Sequence, residues 1–85
     1  MLKVSVISPE SSLYEGDATS VVAPAFDGEV GILTGHAPMM TLLGKGSLRI
    51  DAAGGSRRFS IEGGFLQVVD NRVRVVTERG APDPV

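Results

Sequence analysis

The sequence contains no cysteine, no tryptophan and only one histidine, His36. Without cysteine, the chain cannot form a disulfide bond, a thiolate metal site or a cysteine nucleophile. A single histidine also disfavours a catalytic zinc site, because such sites need several ligands. No apolar run approaches the roughly 18 residues that span a bilayer, and the amino terminus lacks the hydrophobic segment of a signal peptide. We therefore expect a soluble chain with neither metal nor cofactor.

Motifs for nucleotide binding and catalysis are missing as well. Gly44 and Lys45 are followed by Gly46, whereas a phosphate-binding loop needs Ser or Thr after the lysine and then a helix. No Gly-x-Ser-x-Gly sequence is present to form a nucleophile elbow. Four arginines could line a nucleic-acid groove: Arg57, Arg58, Arg72 and Arg74. The net charge of -2 and the 5% aromatic content disfavour that interpretation, and we expect no nucleic-acid partner.

Six segments have the pattern of β-strands. Apolar and polar residues alternate over Leu2–Val6, Leu48–Ala52, Phe59–Ile61 and Val73–Val75, while Thr19–Ala23 and Phe65–Val69 are rich in β-branched or aromatic residues. Only residues 37–43 have helical propensity, and that segment is too short to be stable alone. An apolar sheet face must be covered, and no helix is available to cover it. We therefore predict an all-β fold, a small antiparallel β-sandwich of two sheets.

Turn residues separate these segments at short intervals. Asp70 and Asn71 lie between two predicted strands and predict a two-residue hairpin turn, because both tolerate the left-handed conformation. Two prolines stand among the last four residues, and they prevent a helix there. We predict one β-sandwich domain over residues 1–79 and a short proline-containing tail over residues 80–85.

The segment from Gly28 to Thr41 contains three glycines, the only histidine and Pro38. Glycines permit positive φ at short intervals, so we predict a constrained surface loop of the kind that binds partners. His36 then has three interpretations: a surface residue in a turn, an interface residue, or a general acid–base partner of Glu29 or Asp27.

The densest apolar run of the chain is Met39-Met40-Thr41-Leu42-Leu43. Methionines commonly fill irregular gaps in a core, which is one interpretation of Met39 and Met40. A single strand cannot bury both of its faces in a thin sandwich, so the alternative is that part of the run is exposed or covered by a partner. The residues alone leave both interpretations open.

Three motifs together resemble a known family. The sequences Gly28-Glu-Val-Gly-Ile-Leu-Thr-Gly-His-Ala-Pro-Met-Met-Thr41, Gly44-Lys-Gly-Ser-Leu-Arg-Ile50 and Ile61-Glu-Gly-Gly-Phe-Leu-Gln-Val68 closely resemble the amino-terminal domain of the epsilon subunit of bacterial F-type ATP synthase. The similarity covers almost the whole chain, from Val4 to about Arg79. It implies a β-sandwich that acts as a non-catalytic rotor subunit in the central stalk. Such a subunit links the gamma subunit to the c-subunit ring and couples ion flow to ATP synthesis.

The resemblance also implies contact residues and a location. It places the c-ring contact in a loop that contains Glu29 and Gly31, and it places His36 and Thr41 near the gamma subunit. Pro38 and Met39 belong to the same predicted interface with the c ring and gamma. The partners would include the rest of the F1Fo complex, at the cytoplasmic side of a bacterial plasma membrane and only peripherally attached to it.

Epsilon subunits usually continue into a two-helix carboxy-terminal hairpin, which these 85 residues do not contain. From the resemblance we expect a subunit that couples rotation without the brake on ATP hydrolysis that the hairpin supplies. The alternative function is a free-standing small β-sandwich that binds a ligand or another protein.

Overall fold

The computed structural model describes residues 1–83 and consists of ten β-strands joined by short turns. The strands are β1 (Leu2–Ile7), β2 (Ser12–Ala18), β3 (Ser20–Ala25), β4 (Gly28–Leu33), β5 (Met39–Leu42), β6 (Lys45–Ala52), β7 (Gly55–Glu62), β8 (Phe65–Val69), β9 (Arg72–Val76) and β10 (Arg79–Pro82). Over residues 1–83 there is no helix that is long and apolar enough to cross a membrane.

The strands form two five-stranded sheets that pack face to face. Sheet I has the strand order β2-β1-β9-β8-β5, and sheet II has the order β10-β7-β6-β3-β4. Neighbouring strands are antiparallel except β1 and β9, which run parallel. The predicted all-β sandwich of two sheets is therefore confirmed, with one parallel pair inside an otherwise antiparallel arrangement.

Alternate residues of the central strands point between the two sheets and form one core. The sixteen buried apolar residues are Leu2, Val4, Val6, Ala18, Val21, Ala23, Ile32, Leu43, Leu48, Ile50, Phe59, Ile61, Leu66, Val68, Val73 and Val75. Phe59 is the largest fully buried side chain. Its ring meets the edge of Tyr14 at a centroid distance of 6.4 Å, and the Arg57 guanidinium lies 5.7 Å from both ring centroids. Arg57 thus covers the aromatic end of the core and does not line a groove with the other arginines.

Two turns depend on unusual backbone conformations. Asp70 and Asn71 have φ values of 49° and 62° and close the β8–β9 hairpin, as predicted. Gly64 has a φ of +100° where the chain passes from β7 of sheet II to β8 of sheet I. A Cβ at Gly64 would lie 1.9 Å from the Val76 carbonyl oxygen, so only glycine fits this crossing.

Strands also occur where the sequence analysis predicted a loop or a tail. β4 and β5 fall inside the segment predicted as a surface loop. β10 pairs with β7 and includes residues 80–82 of the predicted tail; Pro84 and Val85 lie outside the described residues. Paired strands thus occupy much of the segment that glycine content alone had indicated to be irregular.

Candidate partner-binding surface

Glu29 and Gly31 lie in strand β4, which corrects the prediction that they belong to a loop. β4 is an edge strand of sheet II, and Glu29, Gly31 and Leu33 are exposed while Ile32 is buried. Strand alternation places these three exposed residues on the outer face of the sheet. The backbone of Gly31 is not left-handed and a Cβ there would meet no atom within 4 Å. Gly31 therefore leaves a flat site between the side chains of Glu29 and Leu33.

His36 lies at the opposite end of β4 from Glu29. Glu29 follows the turn formed by Phe26 and Asp27, whereas His36 belongs to the loop of residues 34–38 that follows Leu33. A strand rises about 3.3 Å per residue, so the part of β4 from Glu29 to Leu33 alone spans about 13 Å. This separation is too long for His36 to form a general acid–base pair with Glu29 or Asp27.

Three hydrogen bonds fix the conformation of the 34–38 loop. The His36 amide donates to the Leu33 carbonyl at 3.1 Å, and the Gly35 amide donates to Oδ1 of Asn71 at 2.7 Å. The His36 ring places Nδ1 2.7 Å from the Ala37 carbonyl oxygen. The ring is half-buried and the following Pro38 is exposed. The loop is thus held to the β8–β9 turn of the other sheet.

Strand β5 divides the methionine-rich run between the two faces of sheet I. Met39 pairs with Val68 and Thr41 pairs with Leu66, so both share the inward orientation of those buried partners. Met40 and Leu42 point outward, and each is 63% exposed. Met40 and Leu42 are therefore the most exposed residues of β5, while Met39 and Thr41 are half-buried and their predicted place in the interface stays a prediction. Strand pairing is the information that the sequence did not contain.

An apolar strip crosses the outer face of sheet I. In register across the strands, Leu42 pairs with Phe65, Phe65 with Val76, and Val76 with Ile7. Phe26, which is 67% exposed, lies beside the end of this row, where its amide donates a hydrogen bond to the Leu42 carbonyl at 3.0 Å. We call these five residues the apolar strip. Exposed, contiguous apolar side chains of this kind mark interaction surfaces.

The same face carries charged residues beside the strip. Arg72 and Arg74 point outward from β9 and line a shallow surface groove of about 630 Å³ with Lys3, Glu15 and Asp17. Lys3 Nζ lies 3.7 Å from Asp17 Oδ1. Within residues 1–83 neither Arg72 nor Arg74 forms an ion pair. Sheet I thus presents apolar side chains at one end and two unpaired guanidinium groups toward the other.

The outer face of sheet II carries a cluster of polar side chains around Asp51 that bind one another. Asp51 accepts hydrogen bonds from Ser20 Oγ at 2.8 Å and Ser56 Oγ at 2.5 Å. The bond from Ser56, followed by that from Ser20, lowers the pKa of Asp51 below its ordinary value. Arg49 Nε lies 3.4 Å from Asp51 Oδ2. The hydroxyl and carboxylate groups around Asp51 are therefore already satisfied, whereas the edge strand β4 of the same sheet exposes Glu29 and Leu33.

The described part of the chain holds no group of three or more His, Cys, Asp or Glu side chains arranged to bind a metal ion. The four arginines considered for nucleic-acid binding also lie on different surfaces: Arg72 and Arg74 on sheet I, Arg58 exposed on sheet II, and Arg57 over the aromatic end of the core. They do not form one continuous groove.

The chain is similar to known proteins in family, sequence and structure. A family model described as "ATP synthase, Delta/Epsilon chain, beta-sandwich domain" matches residues 1–82. The ATP synthase epsilon chain of Leptospira borgpetersenii serovar Hardjo-bovis (strain JB197) is 48% identical over 80 residues, which cover 94% of this chain and 63% of that protein. The ATP synthase epsilon chain of Rhodopirellula baltica is 41% identical over 81 residues, covering 95% and 63%. The chain thus spans less than two thirds of the length of these relatives.

Two solved structures have the same fold. A chain of the Euglena gracilis mitochondrial ATP synthase, in a cryo-EM structure of its OSCP/F1/c-ring, superposes with a TM-score of 0.87 and 24% identity, covering 95% of this chain and 52% of that one. A chain of the Tetrahymena thermophila mitochondrial ATP synthase central stalk/c-ring superposes with a TM-score of 0.80 and 18% identity, covering 94% and 65%.

Proposed function

We infer a function from family, because this chain belongs to the beta-sandwich domain family of the ATP synthase delta and epsilon chains. We propose that it acts as a rotor subunit of the central stalk, joining the gamma subunit to the c ring and coupling ion flow to ATP synthesis. In this role the chain has no catalytic residue of its own. Its task is to transmit torque through two interfaces.

The observation that supports this role best is the apolar strip on sheet I. A rotor part must resist shear, which requires an interface with buried apolar anchors and complementary charge. Phe26 and Leu42 are 67% and 63% exposed in the free chain and could serve as such anchors. The close-packed core behind the strip deforms little, so a load applied to one face would be carried across the domain.

The two partners would use different surfaces. We assign the outer face of sheet I to gamma, because it carries the apolar strip at one end, and the edge strand β5 with exposed Met40 leads from there to the 34–38 loop with His36 and Pro38. We assign the exposed row of Glu29, Gly31 and Leu33 on β4 to the c ring. Met39 and Thr41 would then support the gamma interface from within the sandwich. The complex would hold the chain peripherally at the cytoplasmic side of a bacterial plasma membrane.

Leu42 provides the direct test of the gamma assignment. Changing Leu42→Asp places a charge in the apolar strip, and we expect binding to the purified gamma subunit to weaken at least about 30-fold. An anchor at the centre of an interface commonly contributes 2 kcal/mol or more, and about 1.4 kcal/mol corresponds to each tenfold change in affinity. The dissociation constant can be measured by calorimetry or by surface immobilisation of gamma from the same genome.

Leu33 provides a matched control. It has the same side chain and almost the same exposure, 64% against 63%, but it lies on β4 of the other sheet. Leu33→Asp should leave gamma binding within about twofold of the parent chain, as surface substitutions outside an interface usually do. If both variants bind gamma as the parent does, the assignment of sheet I is wrong. If the parent chain itself does not bind gamma, the free-standing interaction domain becomes the better interpretation.

A further inference from the structure

The 34–38 loop owes its position to a residue that lies far from it in sequence. Two of the three hydrogen bonds of the loop join residues that are close in sequence. The third is accepted by Asn71 in the β8–β9 turn. That third bond joins the Gly35 amide to Asn71 Oδ1 at 2.7 Å across 36 residues of sequence. Because Gly35 has a φ of +87°, the loop turns sharply at the point where the side chain of Asn71 holds it.

The geometry of the loop also selects the tautomer of the neutral His36 ring. The Ala37 carbonyl oxygen can only accept a hydrogen bond, so Nδ1, at 2.7 Å, must carry the proton. In the neutral ring Nε2 is then an acceptor, and it has no hydrogen-bond partner within residues 1–83. The ring therefore offers one defined acceptor atom outward from a fixed loop.

We propose that Asn71 is a positioning residue for the gamma interface: its side-chain oxygen holds the 34–38 loop so that His36 presents Nε2 to a hydrogen-bond donor on gamma. This proposal rests on the proposed function, which assigns the loop to the gamma-facing side. In this proposal Asn71 acts through its hydrogen bond to the Gly35 amide. The turn that carries this residue closes a paired hairpin, in which Asp70 and Asn71 both adopt left-handed backbone conformations.

Substitutions in the β8–β9 turn can distinguish the effect of the backbone conformation of the turn from the effect of the hydrogen bond made by the Asn71 side chain. Asn71→Gly removes the acceptor but keeps a residue that favours positive φ, and Asp-Gly is a preferred pair for this turn. Asn71→Asp keeps an acceptor oxygen at the same place. Asp70→Gly is the matched control, because it makes the same truncation at the adjacent left-handed residue, whose side chain forms no hydrogen bond to the loop.

Two measurements on the 85-residue chain test the proposal. Hydrogen exchange by NMR follows the Gly35 amide, and calorimetry follows binding to purified gamma. We expect Asn71→Gly to speed exchange of the Gly35 amide and to weaken gamma binding, each about fivefold, which is the scale of one lost hydrogen bond. Thermal unfolding should stay within about 4 °C of the parent. Asn71→Asp and Asp70→Gly should match the parent in both exchange and binding.

The outcomes are distinct. Unchanged Gly35 exchange in Asn71→Gly would overturn the proposal, and so would an equal effect of Asp70→Gly, since that would reveal only a general change in the turn. Unchanged gamma binding with faster Gly35 exchange would also overturn it, because the loop position would then not matter to the partner. Failure of the parent chain to bind gamma would instead contradict the proposed function.

Discussion

The two outer faces of this sandwich differ although the strands behind them follow the same alternating pattern. On sheet II, carboxylates and hydroxyls satisfy one another: Asp51 accepts from Ser20 and Ser56, and Asp83 accepts from Ser47 and Ser60. On sheet I, the corresponding rows contain the apolar strip and two arginines without ion pairs among residues 1–83. In both sheets the residues that point between the sheets are buried.

The difference is that the outer face of sheet I carries an apolar strip across several strands, whereas sheet II exposes Leu33 at its edge beside a polar cluster. A polar face whose groups are already hydrogen-bonded can stay in water at little cost. Exposed Phe and Leu side chains in one continuous strip lower solubility unless a partner covers them. The residues that point between the sheets therefore indicate the fold, whereas the difference between the two outer faces indicates where a partner binds.

The largest effect should come from Gly64, where the chain crosses between the sheets. Gly64→Ala would place a Cβ 1.9 Å from the Val76 carbonyl oxygen and 2.7 Å from the Thr77 Cα, at a φ of +100°. Because these contacts are with backbone atoms, relief requires the strands to move apart. We expect a loss of more than about 3 kcal/mol in the free energy of unfolding, measured by urea denaturation. Both faces would lose their order together.

Gly54 supplies the control for that substitution. It lies in the β6–β7 turn, its backbone is not left-handed, and a Cβ there would meet no atom within 4 Å. Gly54→Ala should change the free energy of unfolding by less than about 0.5 kcal/mol. If Gly64→Ala is as stable as Gly54→Ala, the crossing between the sheets is more adaptable than its geometry implies.

The sequence predicted the interior of each sheet but not its edges. The six predicted strands correspond to β1, β3, β6, β7, β8 and β9, which are the interior strands of the two sheets. The four that were not predicted, β2, β4, β5 and β10, are the edge strands. The interior strands contribute most of the buried residues, so their sequences show alternation or are rich in β-branched and aromatic residues. An edge strand tolerates glycine and proline, such as Gly31 in β4 and Pro82 in β10, so its alternation is weak.

The candidate surface was harder to predict for a related reason. Motif similarity identified the segment that contains Glu29 and His36, but it did not separate them onto opposite ends of β4. The apolar strip is formed by residues from four different strands and a turn, and no local pattern joins Ile7 to Leu42 or Val76. Only strand register brings them together. The role of Asn71 depends in the same way on a long-range contact.

A smaller effect than that of Gly64 should follow from changing charge on sheet I. The double substitution Arg72→Gln with Arg74→Gln removes the two unpaired guanidinium groups beside the strip. We expect gamma binding to weaken by about three- to tenfold at low salt, mostly through slower association, and the difference to shrink at high ionic strength. Arg58→Gln removes an exposed charge from β7 of sheet II instead and should have no such effect. An equal, salt-dependent loss in Arg58→Gln would remove the distinction between the faces.

The smallest effect should be seen in the polar cluster of sheet II, as a change in acid stability. Hydrogen bonds from Ser56 and then Ser20 lower the pKa of Asp51 in the folded chain below the ordinary 3.8. A carboxyl group with a lowered folded pKa stabilises the fold above its unfolded pKa, and that contribution is lost as pH falls through the folded pKa. The parent chain should therefore lose part of its stability below about pH 4 through this group.

Asp51→Asn removes the titrating group, so the unfolding temperature should fall less steeply with pH below about pH 4 than it does in the parent. Ser20→Ala with Ser56→Ala should flatten the same part of the curve while the carboxylate remains, because the donors that lower its pKa are gone. Ser5→Ala is the control on sheet I, where the serine side chain forms no hydrogen bond within residues 1–83. Thermal unfolding from pH 2.5 to 7 measures all four chains. If the unfolding temperature of Asp51→Asn depends on pH below about pH 4 as that of the parent does, the serine hydroxyls do not stabilise the charged carboxylate. The polar cluster of sheet II would then not be held together by these hydrogen bonds.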